Sequence, residues 1–186
     1  MPEIAGATEA NFYAVSCVSS TFCVGTGYIE TGGPSSATSE FWNGTTWSFV
    51  PAGSANESEL EGVSCTSTTF CAAVGDYFVG SVDTVLVENW NGTAWVTAAS
   101  SSSPTAPNNY LSAVSCTGPG FCAATGSGYV AQTQFNSETT LMEIWNGSTW
   151  SVTPSPNFGT AVGNYMYGVS CVAATSCAAV GSYYTN

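Results

Sequence analysis

Short apolar runs alternate with polar residues along the whole chain, and loops rich in Gly, Ser, Thr and Pro separate them, notably at 31–39, 100–107 and 154–160. No segment shows a convincing helical period, in which apolar residues would recur every three or four positions. Short runs that are bounded by turn residues are typical of antiparallel strands. The pattern therefore predicts an all-β protein.

The apolar runs belong to a sequence repeat. Each copy starts with V-S-C-x5-C and continues with E-x-W-N-G-[ST]-x-W, and the first cysteines of successive copies lie 48 to 55 residues apart. A period of this length is typical of a supersecondary unit that stacks on its neighbours. We therefore predict one repeat domain over residues 1–186. Its units lie at about 13–56, 61–107 and 112–160, and a half unit without the W-N-G motif lies at 167–186.

The eight cysteines occur as four pairs with identical spacing. Two antiparallel strands joined by a tight turn would place the members of a pair opposite each other, as a disulfide requires. Zinc binding is the alternative, but zinc sites normally have closer spacing and often include His, which is absent here. The pattern favours an extracellular or cell-surface location. The predicted disulfides are Cys17–Cys23, Cys65–Cys71, Cys116–Cys122 and Cys171–Cys177.

The second half of each complete unit is predicted to be another hairpin, because Asn-Gly between two apolar runs is a strong hairpin signal. With a two-residue loop, Trp90 would face Thr93. Glu88 would then face Trp95 and lie on the same side of the hairpin as both tryptophans. Each complete unit is thus two hairpins, or four short antiparallel strands. The corresponding residues of the other units are Glu40, Trp42 and Trp47, and Glu143, Trp145 and Trp150.

Charge narrows the range of partners. The chain contains 12 acidic residues and no Lys, Arg or His, which gives a formal net charge of −12. Such a chain is repelled by nucleic acid and by anionic membrane surfaces, and no apolar run approaches the roughly 20 residues that span a bilayer. We expect no nucleic-acid partner and no membrane insertion. Because no carboxylate can pair with a cationic side chain, we also expect the fold to be as stable near pH 4 as at pH 7, or more so.

The motifs carry a resemblance to a known class of proteins. The Asn91-Gly92-Thr93-Ala94-Trp95 segment is similar to the Asp-box hairpin of sialidase-type propellers, although Trp42, Trp90 and Trp145 replace the Asp itself. The whole unit resembles the secreted, cysteine-paired β-propeller repeats of many actinobacterial and environmental proteins. This resemblance covers nearly the whole chain. It implies β-propeller-type repeats of four-stranded antiparallel blades, about three and a half in number, and it implies no particular function.

Two sets of aromatic residues are candidates for ligand contact. The tryptophan pairs either stack on sugars beside Glu40, Glu88 and Glu143 or pack between sheets, and packing is favoured because large aromatics dominate core energetics. A tyrosine also follows the second strand of every unit, next to the variable loops, where repeat proteins usually bind. Packing at the strand ends is the alternative. The predicted rim consists of Tyr28, Tyr77, Tyr129 and Tyr183.

Glycosylation is a further possibility. Four asparagines match the acceptor pattern N-x-[ST], although Asn-Gly is also ordinary turn chemistry. These residues are Asn43, Asn56, Asn91 and Asn146.

Enzyme chemistry has little support. A carboxylate pair could hydrolyse a glycoside, but Asp76 and Asp83 are the only aspartates, and most glutamates fall in loops or at repeated positions. The resemblance to sialidase-type propellers implies arginines that hold the substrate, and this chain has none. We predict no catalytic residue, metal site or cofactor. Calcium held by backbone carbonyls and by Asp76 or Asp83 stays open, although no EF-hand pattern supports it.

The incomplete fourth unit predicts that the protein assembles with other chains. Its hairpin at 169–184 has no W-N-G strands to pair with, and an unpaired edge is a template for another chain. We expect a non-enzymatic extracellular structural protein that assembles with copies of itself into a ring, surface layer or filament. A fragment of a longer array is an alternative explanation of the half unit. A lectin-like module that binds glycans is the alternative function.

Overall fold

A computed structural model describes residues 4–101, 106–130, 138–159 and 161–185, apart from the side chains of 54–56. The described part is built from strands and contains no helix, so the predicted all-β class is confirmed. It accordingly contains no helix that could span a lipid bilayer.

The first two sheets each contain four antiparallel strands in chain order. Strands β1 to β4 form the first sheet and β5 to β8 the second. The strands of the first sheet are β1 (Glu9–Ser19), β2 (Phe22–Glu30), β3 (Ser36–Trp42) and β4 (Trp47–Asn56). Those of the second are β5 (Ser58–Ser67), β6 (Phe70–Val79), β7 (Val82–Trp90) and β8 (Trp95–Thr97).

The third sheet repeats this order and joins a final hairpin through one parallel bridge between Glu138 and Gly163. Each first strand begins three or four residues before the predicted start of its unit. The strands of the third sheet are β9 (Asn108–Gly118), β10 (Phe121–Tyr129), β11 (Glu138–Trp145) and β12 (Trp150–Val152). The final hairpin consists of β13 (Gly163–Ala173) and β14 (Ser176–Tyr184).

The first hairpin of every unit carries a disulfide. In each one the two cysteines are direct register partners, with Cα atoms 3.9–4.0 Å apart. All the predicted pairs are therefore present. They indicate that the protein folds in an oxidising environment. The disulfides are Cys17–Cys23, Cys65–Cys71, Cys116–Cys122 and Cys171–Cys177.

The W-N-G hairpin forms, but its predicted loop length is wrong. Trp90 pairs with Trp95, and Glu88 pairs with Thr97, so the loop has four residues instead of two. The side chain of Asn91 explains the longer loop, because its Oδ1 accepts hydrogen bonds from the backbone N–H groups of Thr93 and Ala94. Gly92 adopts a positive φ of 97°. Glu88, Trp90 and Trp95 still share one face, as predicted.

A β-bulge in each first strand brings the backbone close to a glycine of the second strand. In the third sheet, the bulge shifts the register at Ser112, and Gly126 lies opposite it. A Cβ atom on Gly126 would fall 2.0 Å from the carbonyl oxygen of Tyr110. The same close approach occurs at Gly27, Gly75 and Gly181. Only glycine fits this position in the repeat.

The cores lie between successive sheets. Val24 of the first sheet packs with Leu60 and Leu86 of the second. On the other side of the second sheet, Val74 and Val87 pack with Leu111 of the third. The second sheet therefore contributes both of its faces to cores, which is why its strands contain nearly continuous apolar runs.

Candidate functional site

The contact between neighbouring units is itself a repeated feature. The first strands of successive units lie next to each other, from β1 to β13. The hydroxyl of the serine in V-S-C accepts a hydrogen bond, 2.9 Å long, from the backbone N–H of the first cysteine in the next unit. The three pairs are Ser16 with Cys65, Ser64 with Cys116 and Ser115 with Cys171.

This hydrogen bond gives a matched pair of variants. Ser64→Ala removes the acceptor of a partly buried N–H group, and we expect a loss of about 1 kcal/mol in the free energy of unfolding. Ser170 occupies the same place in the repeat, but it is exposed and no next unit lies against it in the described chain. Ser170→Ala should leave the stability of the dilute protein unchanged. Urea denaturation of both variants measures the difference, and equal losses would contradict it.

One face of the first sheet is open. Val15 is 63% exposed, whereas Val63 and Val114, at the same position of the next two units, are each 8% exposed. Beside Val15 is a cavity of about 280 Å³. It is lined by Phe12, Tyr13, Ala14, Val15, Gly25, Glu40 and Trp47. This surface, called the head face below, is the face that the second and third sheets bury against a preceding sheet.

The last hairpin has the complementary open surface. Its β14 repeats the pentapeptide C-A-A-V-G of β6, yet the strand is exposed from Ser176 to Gly181. Val180 is 68% exposed, whereas Val74, at the same position of β6, is fully buried. The surface formed by Ser170, Val172, Ala178 and Val180 is called the tail face below. In the inner units, this side of the sheet packs against the sheet that follows.

The tryptophan pairs of the inner sheets lie in the cores. Trp90, Trp145 and Trp150 are buried, and Trp90 contacts the ring of Phe41 in the first sheet, with centroids 4.5 Å apart. The first tryptophan of each pair also donates from Nε1 to a backbone carbonyl in the turn of the preceding hairpin. The first pair, Trp42 and Trp47, is only half-buried because it lies at the head face.

A buried glutamate accompanies each tryptophan pair. Glu40, Glu88 and Glu143 are at most 1% exposed. Thr97 donates a hydrogen bond to Glu88, and Ser100 of the preceding unit donates to Glu143. Both carboxylate oxygens of Glu40 lack a hydrogen-bond partner among the described residues.

Burial raises the pKa of all three glutamates above its ordinary value. For Glu143 it raises the pKa to about 7, although hydrogen bonds from Ser100 and from the backbone of Ser101 act in the opposite direction. The carboxyl groups of Glu88 and Glu143 lie between sheets, where no sugar could reach them, whereas Glu40 lines the cavity of the head face.

The predicted tyrosine rim is divided between two faces. Tyr28, Tyr77, Tyr129 and Tyr183 lie near the same end of the second strands, but they stand one, two, three and two residues after the repeated glycine. Since side chains alternate along a strand, Tyr28 and Tyr129 point to one side of their sheets and Tyr77 and Tyr183 to the other. Binding of a ligand by these tyrosines stays a prediction.

Three of the four predicted glycosylation sites lie in the W-N-G loops. Asn43, Asn91 and Asn146 are exposed, and in each the side-chain oxygen accepts two backbone N–H bonds within the loop. These residues therefore have a structural role in the turn, and their glycosylation stays a prediction. The side chain of Asn56 lies outside the described residues.

An acidic cluster lies at the end of the second sheet. Oxygens of Glu59, Glu61 and Asp76 lie within 4.8 Å of one another. Asp83 is 6% exposed, and its side chain contacts that of Asp76. Burial, and then the neighbouring negative charges, raises the pKa of Asp76, and burial likewise raises the pKa of Asp83. The acidic cluster consists of Glu59, Glu61, Asp76 and Asp83.

Two tyrosines from neighbouring units border this cluster. The hydroxyl of Tyr13 in the first sheet donates to Glu59 over 3.1 Å, and that of Tyr129 in the third sheet donates to Asp83 over 3.4 Å. The sequence singled out both aspartates as possible calcium ligands but missed the two glutamates. The period-2 pattern of β5 could have found Glu59, because it pairs directly with Asp76.

Comparison with protein-family models and with curated proteins finds no match for this chain.

Proposed function

We propose that this protein is a non-enzymatic, extracellular structural subunit that assembles head to tail with copies of itself. In this proposal its sheets are blades of a β-propeller-type array. The head face of one copy covers the tail face of another, as each unit covers its neighbour within the chain. A ring results if the rotation between copies closes, and a filament results if it does not.

The observation that carries the proposal is the mismatch between residue type and exposure on the two open faces. Val15 and Val180 are exposed, whereas their equivalents at unit contacts are buried. Large contiguous apolar surfaces on soluble proteins usually mark an interaction site. Here the missing cover has a defined chemistry, because the inner units show which surface packs on each face.

The two faces also complement each other in hydrogen bonding. Ser170 presents the acceptor of the repeated bond, and Cys17 stands at the position of its donor. No serine lies against the Cys17 N–H among the described residues. A second copy placed with its head on this tail would form a fourth bond of the same kind. Such a contact is heterologous, because it joins two different surfaces of identical chains.

Single substitutions on each face test this arrangement. We expect the wild-type protein to sediment as species larger than a monomer over a concentration series. Val15→Asp and Val180→Asp should each be monomeric, because each places a charge in an apolar contact and leaves no cation nearby to pair with it. Val79→Asp is the matched control. Val79 is 58% exposed and lies on neither face, so this variant should assemble like the wild type.

Mixing the two variants distinguishes this geometry from a two-fold dimer. The Val15→Asp chain keeps an intact tail and the Val180→Asp chain keeps an intact head. An equimolar mixture should therefore form a one-to-one dimer that grows no further. If contacts were tail to tail, Val15→Asp alone would still dimerise and the mixture would add nothing. A wild-type protein that stays monomeric at every concentration would overturn the proposal.

Glycan binding is the second candidate function, and the cavity on the head face supports it. Trp47 and Tyr13 offer aromatic surface there, and Glu40 offers a buried carboxylate. Small-molecule sites are commonly lined by aromatic side chains with a few polar groups that orient the ligand. Quenching of tryptophan fluorescence by soluble oligosaccharides, lost in Trp47→Ala and kept in Val180→Asp, would favour this function over assembly.

A further inference from the structure

The outer edge of the last strand is an unpaired surface of its own. β14 pairs with β13 on one side, and no strand of the described chain pairs with its other side. In each complete unit, the second strand is paired on both sides, because a third strand lies along its outer edge. That third strand ends at the first tryptophan of the W-N-G motif. β14 is thus a second strand without a third strand in the described chain.

β14 lacks the features that protect other sheet edges from pairing. Its sequence, S-C-A-A-V-G-S-Y-Y, contains no charged residue and no proline, and the strand is exposed almost throughout. By contrast, the edge strands β8 and β12 have only three residues each, and β4 contains Pro51. Short edge strands, charges and prolines are the usual means by which proteins prevent pairing with another chain. The unprotected edge of β14 therefore indicates that a further strand covers it.

The complete units show which strand this edge would accept. In each of them the second cysteine is the direct register partner of the first tryptophan. The pairs are Cys23 with Trp42, Cys71 with Trp90 and Cys122 with Trp145. Cys177 occupies this position in β14, and it faces Cys171 as Cys71 faces Cys65 in the second unit. An antiparallel third strand would therefore place its tryptophan opposite Cys177.

The turn of the last hairpin carries the remaining contacts of such a strand. In the complete units, the Nε1 of the first tryptophan donates to the carbonyl oxygen of the residue three positions after the first cysteine. The glycine of the motif lies against the next residue, since a Cβ atom on Gly92 would fall 3.2 Å from the Cγ2 of Thr69. Ala174 and Thr175 occupy these two positions in the last hairpin, and both are exposed.

We propose that the outer edge of β14 binds a W-N-G hairpin of a different protein chain, which adds a third and a fourth strand and completes the unit. The partner carries the pattern E-x-W-N-G-[ST]-x-W after a short strand. A second folded copy of this chain does not fit, because its own W-N-G hairpins already pair with their second strands. Strands added to an edge gain affinity from main-chain hydrogen bonds and specificity from side-chain contacts. Here the tryptophan provides the specificity.

A synthetic peptide with the sequence of residues 82–97 tests this site. It comprises β7, the W-N-G loop and β8 of the second unit. Calorimetry should show saturable binding of one peptide per chain, with a dissociation constant of about 10⁻⁶–10⁻⁴ M, since ordering of the peptide offsets part of the contact free energy.

Hydrogen exchange locates the bound peptide. The backbone amides of β14 that point away from β13 should exchange at least about tenfold more slowly with the peptide than without it. The amides of β6 are the internal control, because this strand is already paired on both sides. Their exchange should not change.

Two altered peptides separate strand pairing from the tryptophan contact. Proline at both Leu86 and Val87 should abolish binding, because successive N–H groups point to opposite edges and one of the two must face the second strand. Trp90→Ala removes the indole that donates to the turn and should weaken binding by at least about tenfold. Trp95→Ala is the matched control and should weaken it less, because the Nε1 of Trp95 donates to a neighbouring unit instead.

Three results would overturn the proposal: no saturable binding of the unaltered peptide, slower exchange outside β14 only, or equal binding of the proline peptide. The Val15→Asp chain should bind the peptide with wild-type affinity, because Val15 lies on the head face and not at the β14 edge. This expectation holds whether or not the wild-type protein assembles with itself. Failure of peptide binding is therefore distinct from failure of the proposed assembly.

Discussion

Gly126→Ala should destabilise this protein by on the order of 3 kcal/mol, enough to unfold a marginal domain. The added Cβ atom would lie 2.0 Å from the carbonyl oxygen of Tyr110 and 2.7 Å from the Cα of Leu111. Both are backbone atoms of the β-bulge, so no side-chain rotation can relieve the contact. The strand must move away from its partner and lose the register that aligns Cys116 with Cys122.

Gly118→Ala is the control for this prediction. Gly118 lies at the end of β9, where an added Cβ atom would meet nothing within 4 Å, and its φ is not positive. We expect this variant to be as stable as the wild type, or more stable by about 0.4–1 kcal/mol, because alanine restricts the unfolded chain. Urea denaturation followed by circular dichroism compares the two. A Gly126→Ala protein with an unchanged midpoint would contradict the close packing at the bulge.

The second large effect is on pH dependence. The wild-type protein should become more stable as the pH falls from 8 to 5. The folded-state pKa of Glu143 is raised from 4.5 to about 7 by burial. Between these values the folded state binds more protons than the unfolded state, so acid favours folding. Above about pH 7 the effect is constant, and below the unfolded pKa the penalty has disappeared.

Glu143→Gln isolates this contribution. The amide is a neutral counterpart of the protonated acid and can keep a hydrogen bond with Ser100. We expect the variant to exceed the wild type by roughly 3 kcal/mol at pH 8 and to come close to it near pH 4.5, since each pKa unit corresponds to about 1.4 kcal/mol.

Glu9→Gln is the matched control, because it makes the same substitution at an exposed position of the chain. Chemical denaturation at several pH values measures the effect. A wild-type stability that falls steadily from pH 8 to pH 5 would show that burial of the glutamates carries no such penalty.

Sequence and structure give two separate reasons for the expected stability of the fold in acid. Composition alone predicts acid tolerance, because the carboxylates have no cationic side chain to lose as a partner. The structure adds a specific cause, since it places the repeated glutamate inside the cores. The repeat explains why the effect recurs, but only the packing of one unit on the next makes those groups inaccessible.

The W-N-G hairpin was predicted correctly from the sequence, but the length of its loop was not. Asn-Gly correctly predicts a turn between two strands, and the common face of Glu88, Trp90 and Trp95 follows from alternation along them. The loop length was not predicted correctly, because Asn-Gly also suits a two-residue turn. The four-residue loop forms because the side chain of Asn91 accepts hydrogen bonds from the backbone N–H groups of Thr93 and Ala94. The hydrogen bonds of the Asn91 side chain thus replace the tighter backbone turn, and the structure shows this choice in the pairing of Trp90 with Trp95.

Packing between units also explains an unsatisfied donor. Trp95 donates from Nε1 to the hydroxyl of Ser39 in the preceding unit, over 2.9 Å. The residue equivalent to Ser39 in the second unit is Val87, which has no acceptor in its side chain. The Nε1 of Trp150 accordingly lacks a partner among the described residues. Substituting one residue of the repeat thus affects a neighbour more than fifty residues away along the chain.

The sequence by itself determined the all-β class, the period, the hairpins and the disulfides. Each of these depends on residues close together in the chain, where turn chemistry and alternation set the register. Only the tertiary structure decided which faces are covered, because burial depends on what packs against a strand and not on the strand itself. C-A-A-V-G is buried in β6 and exposed in β14 for that reason alone. The acidic cluster likewise required three strands to be aligned before its four carboxylates could meet.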